Sequence, residues 1–193
     1  MQLKTAWLLL CASTASLSAL AAPAGDVWSG HYRMTWVKGP AADDKTPDEV
    51  FWIVRAPDAD PTKPSRIDGR TPLPEGRAPD AGPVRPAEKL GLDLMRWVVS
   101  FDGKIDQEKS RELRRFSPAE YEDLGWTSMH AAGRIHCLNG GYNLFLCRVK
   151  PGTTVTVGRA GPSQEKLLAR TGIFGAALHA GAFELTKIGA GSP

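Results

Sequence analysis

Between Val27 and Val37 the side chains alternate strictly enough to leave little choice of backbone. Trp28, Tyr32, Met34 and Trp36 share one parity and Ser29, His31, Arg33 and Thr35 the other, with Gly30 the only gap on the apolar side. Successive residues of a strand point to opposite faces, so a period of two demands a sheet with one face buried and one wet. Glu49 to Arg55 contains Val50-Phe51-Trp52-Ile53-Val54, an unbroken run that reads as a strand buried on both faces. Leu92 to Asp106 resumes this character. Leu94 to Phe101 followed by Asp102-Gly103 and Lys104-Ile105 predicts a hairpin, because Asp-Gly suits a type I′ turn. Arg134 to Val149, Thr153 to Val157, and a closing hairpin of Ile173–His179 with Ala182–Ile188 through Ala180-Gly181 complete the set.

Helical signals are few. Ser117-Pro118-Ala119-Glu120 combines a capping residue, proline at the first helical position and a capping-box glutamate, and Gly125 follows, so a helix is expected over Pro118 to Leu124. Asp106 to Arg115 has only Leu113 as an apolar residue and reads as a solvated helix or loop. Glu108 and Glu112 stand at helical spacing among Lys109, Arg111, Arg114 and Arg115, which reads as a solvated face rather than an anion-binding patch. Ser163 to Arg170 reads as a further short helix. Strands that cluster without crossover helices predict a mainly β fold, an antiparallel sheet or a small barrel or sandwich with two or three short helices.

Arg55 to Lys89 interrupts this pattern with eight prolines and no aromatic residue. Proline fixes φ and removes a donor, so the stretch sustains neither a helix nor an interior strand. The two strands before it are too few to be stable alone, which makes it a long excursion from one domain spanning 22–193.

Residues 1 to 21 read as a signal peptide. Lys4 precedes an apolar stretch from Ala6 to Ala12, and Ala19-Leu20-Ala21 forms an A-x-A cleavage site. The apolar stretch is shorter than a membrane span requires, so no stable span is expected after cleavage. Cleavage takes the formal charge from +3 to +2 and the cysteine count from 3 to the pair Cys137 and Cys147. In an exported chain such a pair predicts a disulfide. A two-residue turn at Asn139-Gly140 would set Cys137 opposite Tyr142. Bonding therefore calls for a wider loop centred on Tyr142, or for non-opposed positions. The leader and the Ala/Gly/Pro/Arg bias point to a bacterial protein that is periplasmic or secreted.

The chain carries no G-x-S-x-G, H-E-x-x-H, P-loop or G-x-G-x-x-G pattern, so it shows no catalytic signature, no cofactor and no metal site. Its small net charge gives no reason to expect nucleic acid. His130 and His136 are the nearest thing to a reactive pair, six residues apart with no carboxylate between them, a spacing that matches no zinc pattern. The aromatic set Trp28, Tyr32, Trp36, Trp52, Trp97 and Trp126 provides ligand-binding candidates for an apolar or sugar molecule, against the plainer reading that these rings are core. Trp28-Ser29-Gly30-x-Tyr32, with Phe183-Glu184-Leu185 near the end, loosely resembles small ligand-binding β-barrels of the calycin type. Those carry Gly before Trp, the reverse of the order here, and no functional residue is carried over from so short a match. The expectation is a non-enzymatic binding protein that recognises an envelope protein or a small ligand, such as an inhibitor or immunity-type factor. The alternative is a secreted hydrolase centred on His130 and His136.

Overall fold

A computed structural model of the chain describes residues 26–43, 46–60, 62, 93–106, 110–141, 144–158, 164–177 and 180–189. The expected leader over 1–21 and most of the Pro-rich stretch lie outside the described residues. The described strands are β1 (Gly30–Lys38), β2 (Glu49–Ala56), β3 (Arg96–Ser100), β4 (Arg111–Arg115), β5 (His136–Asn139), β6 (Leu144–Arg148), β7 (Thr153–Val157), β8 (Glu165–Ala169), β9 (Ile173–Ala177) and β10 (Gly181–Gly189). Two short helices, α1 (Pro118–Asp123) and α2 (Thr127–Ala131), connect β4 to β5.

The mainly β expectation takes the form of a barrel. Eight strands close in the ring order β1-β10-β9-β6-β5-β4-β3-β2, every pair antiparallel. It is an up-and-down meander, closed where β1 meets β10, with the β7–β8 ribbon inserted between β6 and β9. The alternation that marked β1 continues around the ring. Tyr32 and Met34 of β1 point inward with Phe51 and Ile53 of β2, Trp97 of β3, Leu113 of β4, Leu138 of β5, Leu146 of β6, and Phe183 and Leu185 of β10, all in one buried cluster. An eight-stranded barrel is just wide enough for side chains to fill, and these side chains fill it. Gly175 of β9 makes room for one of them. A Cβ there would stand 2.4 Å from Phe183 Cζ and 2.5 Å from the Phe145 carbonyl oxygen.

A second buried layer lies outside the barrel wall. Cys137, Cys147, Phe174 and Ala182 face outward from β5, β6, β9 and β10. They pack with Tyr121 and Ile135, with Trp126 before α2, and with Val155, Leu167 and Ala169 of the ribbon. Glu184 of β10 is buried at the edge of this layer, where its carboxylate accepts from the Arg170 and Thr171 amides and so ties down the turn between β8 and β9. Cys137 and Cys147 are bonded to each other and are direct partners in the β5–β6 ladder. Gly140 N donates to Leu144 O and Leu144 N to Gly141 O, so the connection is the wider one and the Asn139-Gly140 two-residue turn does not form.

Four local expectations are overturned. The β2 run is not buried on both faces along its length: among its outward residues Val50 is exposed and Trp52 half-buried, because the outer layer does not extend over this strand. Arg111–Arg115 is strand β4, not a helix or loop, and its helical charge spacing is replaced by a period of two. Leu113 and Arg115 face inward, while Glu112 and Arg114 face outward. One apolar residue is enough here because Leu113 meets Trp97 across the ladder and is fully buried. Glu165–Ala169, expected within a helix, is β8, because Leu167 and Ala169 are needed on one side to cover the outer layer. Asp102-Gly103 does not close a tight hairpin. The β3–β4 ladder ends at Val99–Arg111, and residues 101–106 with 110 belong to a longer connection. Helix α1 forms where its signals placed it, with Gly125 at φ 71° beyond its end.

Candidate functional site

A barrel with a packed interior meets other molecules at its mouths and on its outer wall, and its two mouths are chemically unlike. At the first, strands β1, β3, β5 and β9 begin and β2, β4, β6 and β10 end. Residues 26–29 cross this mouth and are tethered to four different strands. Asp26 Oδ1 accepts from Trp97 Nε1 of β3 at 2.9 Å. The Val27 carbonyl accepts from Arg148 Nη1 of β6 at 2.8 Å. The Trp28 carbonyl accepts from the Tyr32 hydroxyl of β1 at 2.7 Å, and the Ser29 carbonyl from Lys187 Nζ of β10 at 2.7 Å. Trp28 is buried beneath this span. Burial by itself would push the Asp26 carboxyl up. Donors from Ser29, Trp97 and the Trp28 and Ser29 amides outweigh it and hold the group below its usual value.

Each strand that ends at this mouth places a cation at its last inward position: Arg55 on β2, Arg115 on β4, Arg148 on β6 and Lys187 on β10. Their charged ends sit over the rings that close the barrel. The Arg55 and Arg115 guanidinium carbons lie 5.3 and 5.9 Å from the Trp97 centroid, Arg148 5.9 Å from Trp28, and Lys187 Nζ 5.8 Å from Tyr32. All are within cation–π range. Arg55 pairs with Asp58, and Arg115 with Asp93 at 3.1 Å.

The opposite mouth is apolar. Trp36, Val99, Leu144 and Ala177, from β1, β3, β6 and β9, are half-buried where they pack on the end of the core. Trp36 stands edge-on to Phe183 at 5.2 Å. Just past β3 the same parity continues to Phe101, which is 70% exposed, and Ile105 is exposed in the same connection. Lys38, at this end of β1, is tied to Glu165 of β8 at 3.0 Å.

The six aromatic candidates do not gather in one place. Trp28, Tyr32 and Trp97 meet at the plugged mouth, buried. Trp36 lines the apolar mouth. Trp126 is buried in the outer layer, where Nε1 donates to the Thr156 carbonyl. Trp52 lies on the outer wall, stacked on His31 with ring centroids 4.3 Å apart. His130 and His136 do come together, with ring centroids 6.2 Å apart. His130 is itself stacked on Tyr121 at 3.8 Å, and its Nδ1 lies 3.4 Å from the Ile135 carbonyl. Among the described residues no group of three His, Cys, Asp or Glu side chains is arranged to hold a metal ion. No helix among them is long and apolar enough to cross a membrane.

Sequence reasoning passed over Val99, Leu144, Ala177 and Phe101 at one mouth and the cation ring at the other. The ring had a signal: Phe51-x-Ile53-x-Arg55, Leu113-x-Arg115, Leu144-x-Leu146-x-Arg148 and Phe183-x-Leu185-x-Lys187 repeat one motif of inward apolar residues ending in a cation. Comparison with protein-family models, with curated proteins and with solved structures gives no match.

Proposed function

We propose that this is a non-enzymatic binding protein exported to the bacterial envelope or beyond it, and that it recognises a protein partner at its apolar mouth. The expected partner contributes an apolar or aromatic side chain that seats against Trp36, Val99, Leu144 and Ala177, with Phe101 and Ile105 at the edge. The observation that carries this reading is the filled interior. With Tyr32, Phe51, Trp97, Phe183 and Leu185 all buried inside the ring, recognition falls to a rim, and this rim keeps core-type residues half-exposed. Exposed apolar residues that extend a core are the usual centre of a protein interface. Export is supported by the leader-like residues 1–21 and by the bonded cysteine pair.

The test is a pull-down from the envelope fraction with the mature protein as bait, run beside Phe101→Ser, Leu144→Ser and a ribbon control, Leu168→Ser. A partner retained by wild type and the control but lost by both rim variants supports the reading. A partner held equally by all four proteins refutes it. The hydrolase alternative rests on the His130–His136 approach alone. Hydrolytic activity lost on His136→Ala, with folding intact, would favour it.

A further inference from the structure

We propose that the plugged mouth is a binding site for a phosphate-bearing ligand, held between Arg148 and Lys187. This goes beyond partner recognition at the opposite mouth and does not depend on it.

Four cations at equivalent inward positions of alternate strands are an arrangement that packing alone does not call for. Those positions close a core, and an apolar residue would cover Trp97, Trp28 and Tyr32 with no like charges brought together. Elsewhere, among the described residues, the two buried cations of the outer wall have carboxylate partners, Arg96 with Glu112 at 2.8 Å and Arg114 with Glu120 at 2.8 Å, and Lys38 at the far mouth pairs with Glu165 at 3.0 Å. In the ring itself Arg55 and Arg115 are matched by Asp58 and Asp93. Arg148 and Lys187 pair with no carboxylate among the described residues. Each gives one N–H to a plug carbonyl, Val27 and Ser29, two residues apart on one span of chain. The remaining donors of a guanidinium on β6 and an ammonium on β10, the two strands that flank β9 in the ring, are thereby held at one span of the plug and left for a ligand. The rings of Trp28 and Tyr32 hold them in place from beneath.

This combination selects for phosphate. A guanidinium offers parallel N–H groups that match two oxygens of a tetrahedral anion, and a neighbouring ammonium supplies a point charge for a third. Both cations are fixed before a ligand arrives, so little side-chain freedom is lost on binding. The ligand sits outside the plug, because the interior behind Trp28 is filled. A free phosphate compound and a lipid headgroup offer the same chemistry, and the experiment separates them.

Isothermal titration of the mature protein with inorganic pyrophosphate at low salt tests the site, alongside co-sedimentation with vesicles of anionic or zwitterionic phospholipid. Arg148→Gln and Lys187→Gln are compared with wild type and with Arg33→Gln, an exposed outward residue of β1. The expected result is saturable pyrophosphate binding that weakens at least tenfold in each ring variant and less than twofold in Arg33→Gln. Thermal melting verifies that every variant is folded. If the plug loosens in Arg148→Gln, the Lys187→Gln result decides. Binding to anionic vesicles but not to pyrophosphate, with the same variant pattern, assigns the site to lipid headgroups. Pyrophosphate binding without vesicle binding assigns it to a soluble ligand. Binding that Arg33→Gln weakens as much as the ring variants marks diffuse surface charge and overturns the proposal. So does the absence of binding to both probes.

Discussion

Arg114 faces outward from β4 and is only 4% exposed, so its charge has to be matched within the protein. Glu120 of α1 does this with both oxygens, each 2.8 Å from the guanidinium. Glu120 also accepts from the Ser117 amide at the helix start and from Asn139 of β5. One carboxylate therefore joins a helix cap to two strands. Burial alone would raise the Glu120 pKa, but Arg114, the Ser117 amide and Asn139 hold it below the ordinary glutamate value. A depressed carboxyl contributes stability that is complete above the unfolded value of 4.5 and is lost as pH falls from there through the folded value. Glu120→Gln is expected to cost about 3 kcal/mol at neutral pH, the lower end for breaking a buried pair, and to lower Tm by roughly 6–12 °C. It should also flatten the loss of Tm expected of wild type below pH 4.5. The double change Arg114→Met with Glu120→Leu should cost less than Glu120→Gln, because no buried charge is left alone. Thermal melts across pH 3–7 check all three. Tyr32 gives the opposite slope. Burial drives its phenol up to about 12, helped by the Asp26 charge and opposed by Arg148. The folded state therefore keeps a proton that the unfolded state releases near 10. Stability should fall by about 1.4 kcal/mol per pH unit between roughly pH 10 and 12. Tyr32→Phe should remove that slope at a neutral-pH cost of about 1–2 kcal/mol for the Trp28 carbonyl left without its donor.

The outer layer shows how elements, rather than residues, decide what a sequence reveals. β1, β2, the closing hairpin and α1 were legible because each carries its whole signal locally, in alternation, a turn or a cap. β4 and β8 were not. Arg111-Glu112-Leu113-Arg114-Arg115 and Glu165-Lys166-Leu167-Leu168-Ala169 become strands through partners outside their own segments, Trp97 across one ladder and Val155 across the other. The same reason hid the site. The six aromatic residues stand out in the sequence as ligand-binding candidates, but which of them share a mouth depends on ring closure, and no local pattern encodes that. The cysteine pair was legible because covalent geometry overrides a turn preference, and it fixes β5 against β6 under the outer layer. In the chain-entropy model a bridge across so short a loop contributes on the order of 2–3 kcal/mol. Replacing both cysteines by alanine should therefore leave a folded barrel whose Tm is lower by roughly 4–12 °C. Reduction of wild type should give the same melt. If the double variant fails to fold at all, the outer layer is a precondition of the barrel rather than an addition to it.

Closure of the ring is a property of the whole chain, because it joins the first described strand to the last. His31 pairs with Gly189 and Trp36 with Phe183, so the two ends of the barrel sequence are neighbours. Between them the plug crosses the mouth to reach Trp97 of β3 through Asp26. A link from Gly189 to Asp26 must therefore span the mouth as well. About eight Gly/Ser residues reach at most ~28 Å, which is ample for a barrel of this size. A circular permutant built this way, with new ends opened between the exposed residues Ala132 and Gly133 beyond α2, keeps every ladder and every plug contact. Its melt should be cooperative and within a few degrees of wild type, since the linker reaches across the mouth at the surface and no core contact is cut. Truncation after Ala177 asks the converse. It removes β10, takes Phe183 and Leu185 out of the core, and leaves β1 and β9 with open edges. No partial barrel should survive, because an open edge exposes unpaired backbone and a drained core has no compensating burial. Circular dichroism should show a cooperative transition for the permutant and none for the truncated chain. A truncated chain that still melts cooperatively would mean that seven strands and the outer layer suffice, and that the β1–β10 seam serves the plug and its cations rather than the fold.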